Sequence, residues 1–109
     1  MVMTAWQIER EYQNAKQQER KLRQSAKKTA LFAERLDAVM KELEPAWTGA
    51  AAEQFLSGAG RIRDSLMIQN KRISTAADVL NRSADSTRRS RMRALQIARQ
   101  EEEAWRRLQ

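Results

Sequence analysis

The sequence predicts an all-α protein: an antiparallel two-helix hairpin that pairs with a second hairpin into a four-helix bundle. Three observations carry this reading. Apolar residues recur in alternating steps of four and three along two long stretches. Helix breakers are scarce, with three Gly and one Pro in 109 residues. Pro45 and Gly49 stand together near mid-chain, so the breaks are concentrated where one hairpin turn needs them.

The first arm begins near residue 4. From Ile8 the alternation lands on Tyr12, Ala15, Glu19, Leu22 and Ala26, then on Thr29, Ala33, Leu36, Met40 and Leu43. Charged or amide residues such as Gln17, Arg20, Lys27 and Glu34 lie between those positions. This is the pattern of a helix packed along one stripe. Pro45 disfavours the α conformation at Glu44, and Gly49 accepts backbone angles closed to other residues, so the arm is expected to stop at about residue 44. Thr48 is the expected cap of the next helix.

The second arm resumes the alternation on Ala52, Phe55, Ala59, Ile62 and Leu66, then on Gln69, Ile73, Ala76 and Leu80. Two arms joined by so short a loop fold back on one another. A turn centred on Trp47 would set Leu36 by Gly58 and Ala59, Leu22 by Ile73, Tyr12 by Arg82, Trp6 by Arg88, and Met1 near Arg93. About fifteen C-terminal residues would then overhang. The expected organisation is one helical-hairpin domain over residues 1–109: helix 1 at about 4–44, the turn at about 45–49, helix 2 at about 50–94 and a helical tail at about 95–109.

A lone hairpin buries one stripe per helix, and such a core seldom supplies more than about 3 to 5 kcal/mol without a disulfide, a metal or a partner. Apolar residues off the first seam, including Phe32, Val39, Met67, Ile68 and Val79, widen the hydrophobic face beyond what one helix covers. A second hairpin is therefore expected. The candidate interface comprises Leu22, Phe32, Leu36 and Met40 on the first arm and Trp47 at the turn. On the second arm it comprises Phe55, Ile62, Leu66, Ile73 and Leu80.

Composition narrows the function classes. The chain has no His and no Cys, which removes the usual ligands of zinc, copper, haem and iron–sulfur clusters, thiol nucleophiles, and the commonest proton shuttle near neutral pH. No enzymatic activity, cofactor or metal is expected. The first 22 residues interrupt every apolar stretch with charge, so they form neither a signal-peptide core nor a transmembrane segment. Any export would be independent of a signal peptide.

The stretch Glu44-Pro45-Ala46-Trp47-Thr48-Gly49-Ala50-Ala51-Ala52-Glu53-Gln54-Phe55 resembles the signature of the WXG100 (ESAT-6-like) family of helical hairpins. Trp47 and Gly49 match its W-x-G turn, Ala52 the small residue that follows, and Phe55 the aromatic residue early in its second helix. The resemblance covers roughly residues 5 to 90 and rests as much on the mid-chain position as on the tripeptide. It implies homodimers or heterodimers and a substrate or targeting partner of type VII (ESX) secretion, cytoplasmic before export and then secreted or at the cell surface. It also implies a turn from which Trp47 projects. Burying about 200 Å² of that side chain on another chain would contribute roughly 5 kcal/mol at most.

The tail departs from the family. Its Y-x-x-x-D/E export signal has no counterpart, because no Tyr follows Tyr12. Ile97 and Glu101 offer an aliphatic substitute at the same spacing, and Trp105 adds an aromatic, making these three the candidate export or docking tail. Together with the basic second arm, this points toward divergent relatives that accompany LXG-type toxins and pair with the toxin's helical N-terminal domain. The alternative reading starts from a formal charge of +7 and from Arg82, Arg88, Arg89, Arg91 and Arg93, which suit non-specific binding of nucleic acid. On a helix, Arg89 and Arg93 each fall within about 20° of Arg82, while Arg88 and Arg91 point elsewhere.

Overall fold

The computed structural model describes residues 2–109 and contains two helices, α1 (Ala5–Ala46) and α2 (Ala50–Leu108), which form a helical hairpin. No strand occurs among the described residues. Two units can be distinguished: one holds the described residues up to Arg20 together with Asp78–Gln109, the other Lys21–Ala77. Within each, a stretch of α1 runs antiparallel to a stretch of α2.

The start of α1 is set by Thr4. Its Oγ1 accepts a hydrogen bond from the Gln7 backbone N–H at 3.2 Å, and Gln7 Oε1 accepts from the Thr4 N–H at 2.9 Å. This reciprocal capping box satisfies two donors that the helix leaves open. From there to Glu44 the chain contains no Gly or Pro, and β-branched residues occur only at Ile8, Thr29 and Val39, so propensity favours an unbroken helix.

The end of α1 corrects the expected boundary. The helix passes through Pro45 to Ala46, and the Trp47 N–H still donates to the Leu43 carbonyl at 2.9 Å. Pro45 removes only the bond that the Lys41 carbonyl would have accepted, at a helix end that is exposed to solvent. The turn is thus shorter than expected. Gly49, not Thr48, is the N-cap of α2: its carbonyl accepts the Glu53 N–H at 3.0 Å, and its φ of 110° is reached without strain only by Gly. α2 then continues without a break to Leu108, taking in the expected tail.

All eleven seam positions read on α1, from Ile8 to Leu43, are buried or half-buried. On α2 only half of the seam falls where expected. Ala52, Ala59, Leu66, Ile73 and Leu80 turn inward, but the companion column is Leu56, Arg63, Asn70, Ala77 and Ala84, each one residue beyond Phe55, Ile62, Gln69 and Ala76 or in register with them. Those four are exposed. The physical reason is that the two polar residues turned inward are partnered from α1. Arg63 Nη1 donates to Asp37 Oδ1 at 2.7 Å, and Asn70 Nδ2 donates to the Ala26 carbonyl at 2.5 Å.

Among the described residues, the buried ones are Ile8, Ala26, Ala33, Ala52, Ala59, Ala77 and Ala84. A buried methyl contributes roughly 0.8 kcal/mol against about 1.5–3 kcal/mol for a large aliphatic side chain, so this core is thin for its length.

Pairing also sits about one turn further along α2 than a turn centred on Trp47 requires, because α1 ends later. Tyr12 lies beside Asp85 instead of Arg82. Arg88 meets Glu9 and the Tyr12 ring, while Trp6 stacks under Arg10 at 5.1 Å. The expected pairing of Met1 with Arg93 involves Met1, which lies outside the described residues.

Candidate partner-binding face

The structure divides the ten interface candidates into two sets. Leu22, Leu36, Met40, Leu66, Ile73 and Leu80 are half-buried and face the opposite helix. Phe32, Trp47, Phe55 and Ile62 are exposed. The second set has a simple geometric origin. Phe32 and Val39 follow the inward Thr29 and Leu36 by three residues, and Phe55 and Ile62 follow the inward Ala52 and Ala59 by the same step. In an antiparallel pair, equal offsets from equivalent core columns fall on the same side. The unit Lys21–Ala77 therefore carries one apolar side, on which Phe32 is 61% and Ile62 56% exposed.

Trp47 closes that side at the turn. It is 40% exposed, and its ring packs on Phe55 at a centroid distance of 5.6 Å and an interplanar angle of 51°. This tilted pairing is a favoured aromatic geometry. Trp47 thus clasps the start of α2 with part of its surface and leaves the rest open. Gly49 has no heavy atom near the Cβ it lacks, so the turn requires its backbone freedom and not its small size.

A separate set of polar side chains is internally satisfied. In the unit containing Tyr12, the Tyr12 hydroxyl donates to Asp85 Oδ1 at 2.9 Å. Lys16 donates to Asn81 Oδ1 and lies 3.5 Å from Asp85 and 3.4 Å from Glu19. Arg88 and Lys16 both lie over the Tyr12 ring, at 4.7 and 5.4 Å. The Tyr12 hydrogen bond, helped by Lys16, holds the Asp85 carboxyl below the usual carboxylate range. Partial burial works against the Lys16 charge, but Asp85, Tyr12 and Glu19 outweigh it and raise its pKa. Hydrogen bonds from Lys41 and Arg63 likewise depress Asp37, and Asp37 in turn raises Arg63.

The arginine cluster is split. Arg88 pairs with Glu9 at 2.8 Å and Arg91 with Glu11, whereas Arg82, Arg89 and Arg93 make no ion pair among the described residues. A shallow groove of about 190 Å³ runs beside Tyr12, Ala84 and Arg88. That is below the usual range for a small-molecule site. In the tail, Ile97, Glu101 and Trp105 are exposed on continuous helix, beside the intrahelical pairs Glu102–Arg106 and Glu103–Arg107.

Arg63, Asn70 and Asp85 were not singled out from sequence as contact residues. The available signal was their spacing: Arg63 and Asn70 occupy consecutive heptad positions that only a partnered polar residue tolerates at a helix–helix seam. Among the described residues, no group of acidic side chains is gathered as for a metal ion, and no helix is long and apolar enough to cross a membrane. Comparison with protein-family models, curated proteins and solved structures finds no match to this chain.

Proposed function

We propose that the protein is a non-enzymatic substrate or targeting partner of type VII (ESX) secretion. In this reading its exposed apolar side pairs with a second hairpin to complete a four-helix bundle. The second hairpin is another copy, a related WXG100-like chain, or the helical N-terminal domain of an LXG-type toxin. The observation that carries it is the row Phe32, Val39, Phe55 and Ile62 beside the Trp47–Gly49 turn, large apolar side chains that the hairpin leaves in solvent while it buries alanines. The W-x-G resemblance supports the secretion context, with the protein cytoplasmic before export and Ile97, Glu101 and Trp105 as its docking tail.

A photo-crosslinking residue at position 62, expressed in the native cell, tests both parts. A cross-link to one helical chain is expected, together with protein in the culture supernatant that disappears when the secretion system is inactivated. Truncation after residue 94 should reduce export and leave the cross-link. Retention in the cell with cross-links to nucleic acid would replace this reading by the rival one, which already has two of its five arginines engaged by Glu9 and Glu11.

A further inference from the structure

The margin of the apolar side indicates which kind of second hairpin fits it. On α1, Lys28 stands four residues before Phe32, and Arg35 stands three after it and four before Val39. Such spacings place side chains together on one helix surface. Lys21 continues the same column one heptad earlier, and on α2 Arg72 takes the equivalent place beside Ala76. All four cations are exposed, and none has a hydrogen-bond or ion-pair partner among the described residues.

The acidic residues of this unit are elsewhere. Asp37 is held by Lys41 and Arg63, and Asp64 by Arg63. Glu34, Glu44 and Glu53 occupy heptad positions on the opposite side of their helices, so Glu42 alone borders the apolar row. A hydrophobic strip edged by four free cations and one anion is not self-complementary. A second copy related by a two-fold axis that sets Lys28 against Glu42 brings Arg35 against its own copy and leaves Lys21 and Arg72 without an acidic counterpart. It also brings together two chains of formal charge +7.

Resting on the hairpin-pairing reading above, we infer that the occupant is a non-identical amphipathic helical partner whose apolar stripe is bordered by Asp and Glu at heptad spacing. The partner's carboxylates meet Lys28, Arg35 and Arg72, and its aliphatic side chains cover Phe32 and Ile62.

The test uses the full-length chain and two synthetic 28-residue amphipathic helical peptides with one leucine stripe, edged by Glu in one and by Lys in the other. Fluorescence anisotropy of the labelled peptides reads the affinity. At low salt the Glu-edged peptide should bind at least about tenfold tighter than the Lys-edged one, with the gap narrowing as salt rises. Lys28→Glu with Arg35→Glu should reverse the order, Phe32→Ser with Ile62→Ser should abolish binding, and Arg82→Glu with Arg89→Glu should change neither. Equal binding of the two peptides, or a preference governed by Arg82 and Arg89, overturns the inference. So does comparable binding of a 30-nucleotide oligothymidine through Lys28 and Arg35. A tight dimer of the chain alone, by sedimentation velocity at low salt, overturns it while leaving hairpin pairing intact. A monomer that binds neither peptide overturns both.

Discussion

Replacing Phe32 with Ala should weaken partner binding more than folding, and the exposure of the residue sets both magnitudes. An aromatic side chain presents about 200 Å². With 61% of Phe32 outside the fold, about 120 Å² is available to a partner, worth about 3 kcal/mol at about 25 cal/mol per Å². The alanine methyl retains part of this, leaving a loss of about 2–2.5 kcal/mol, or about 30- to 60-fold in affinity. The remaining 80 Å² or so lies against the hairpin and amounts to about 2 kcal/mol, reduced to about 1 kcal/mol by the better helix propensity of Ala and its own buried methyl. Urea unfolding followed by helical ellipticity gives the folding effect, and titration with the Glu-edged peptide gives the binding effect. Leu36→Ala is the control: this half-buried seam residue should cost about 2–4 kcal/mol in folding and little in the affinity of the folded fraction. If Phe32→Ala behaves like Leu36→Ala, the outward assignment of Phe32 is wrong.

Three further outcomes follow from geometry. Ala77→Leu, at a site with 0% exposure, should destabilise the chain by about 1–3 kcal/mol through overpacking, whereas Ala76→Leu next to it should stay within about 0.5 kcal/mol; equal effects in denaturant titrations would reject the observed helix face. Gly58→Ala, which meets no atom within 4 Å, should raise stability by about 0.5–1 kcal/mol, while Gly49→Ala should lower it by about 1–2 kcal/mol because of its positive φ. The depressed Asp37 and Asp85 carboxyls contribute stability that is present above about pH 4, their unfolded range, and is lost as pH falls through their lower folded values. The raised Lys16 contributes stability present below about pH 10 and lost as pH climbs through its folded value, so melting temperature should plateau between, and Asp85→Asn should flatten part of the acid limb.

Much of the architecture could be read from residue spacing, and the failures share one cause. On α1 a single alternation ran through eleven positions, longer than the short row of Phe32 and Val39 beside it, and all eleven turned inward. On α2 two columns flank Ala52, Ala59 and Leu66, and hydrophobicity favours Phe55 and Ile62 over Arg63 and Asn70. Apolar periodicity reports burial against anything, including another molecule. It cannot tell an inner seam from an outer one when polar groups such as Asp37 and the Ala26 carbonyl stand ready to satisfy the inner residues. The turn misled for a local reason: Pro45 disfavours but does not forbid one more helical turn, and the later end of α1 shifted every cross-helix pair. The Thr4–Gln7 cap, by contrast, was written plainly in Thr-Ala-Trp-Gln and needed only to be noticed.

The alanine seam has a wider meaning. A side chain as short as Asn70 reaches across to the backbone carbonyl of Ala26, which shows how narrow the space between the helices is there. Most of the buried positions are alanines, while several of the largest apolar side chains lie outside. Folding and exposure are thereby written on separate sets of residues: buried alanines, the aliphatic side chains of the seam and a few polar contacts hold the hairpin, while Phe32, Val39, Phe55 and Ile62 stay outside it. Such a chain can exchange its outward residues without renegotiating its own helix pairing.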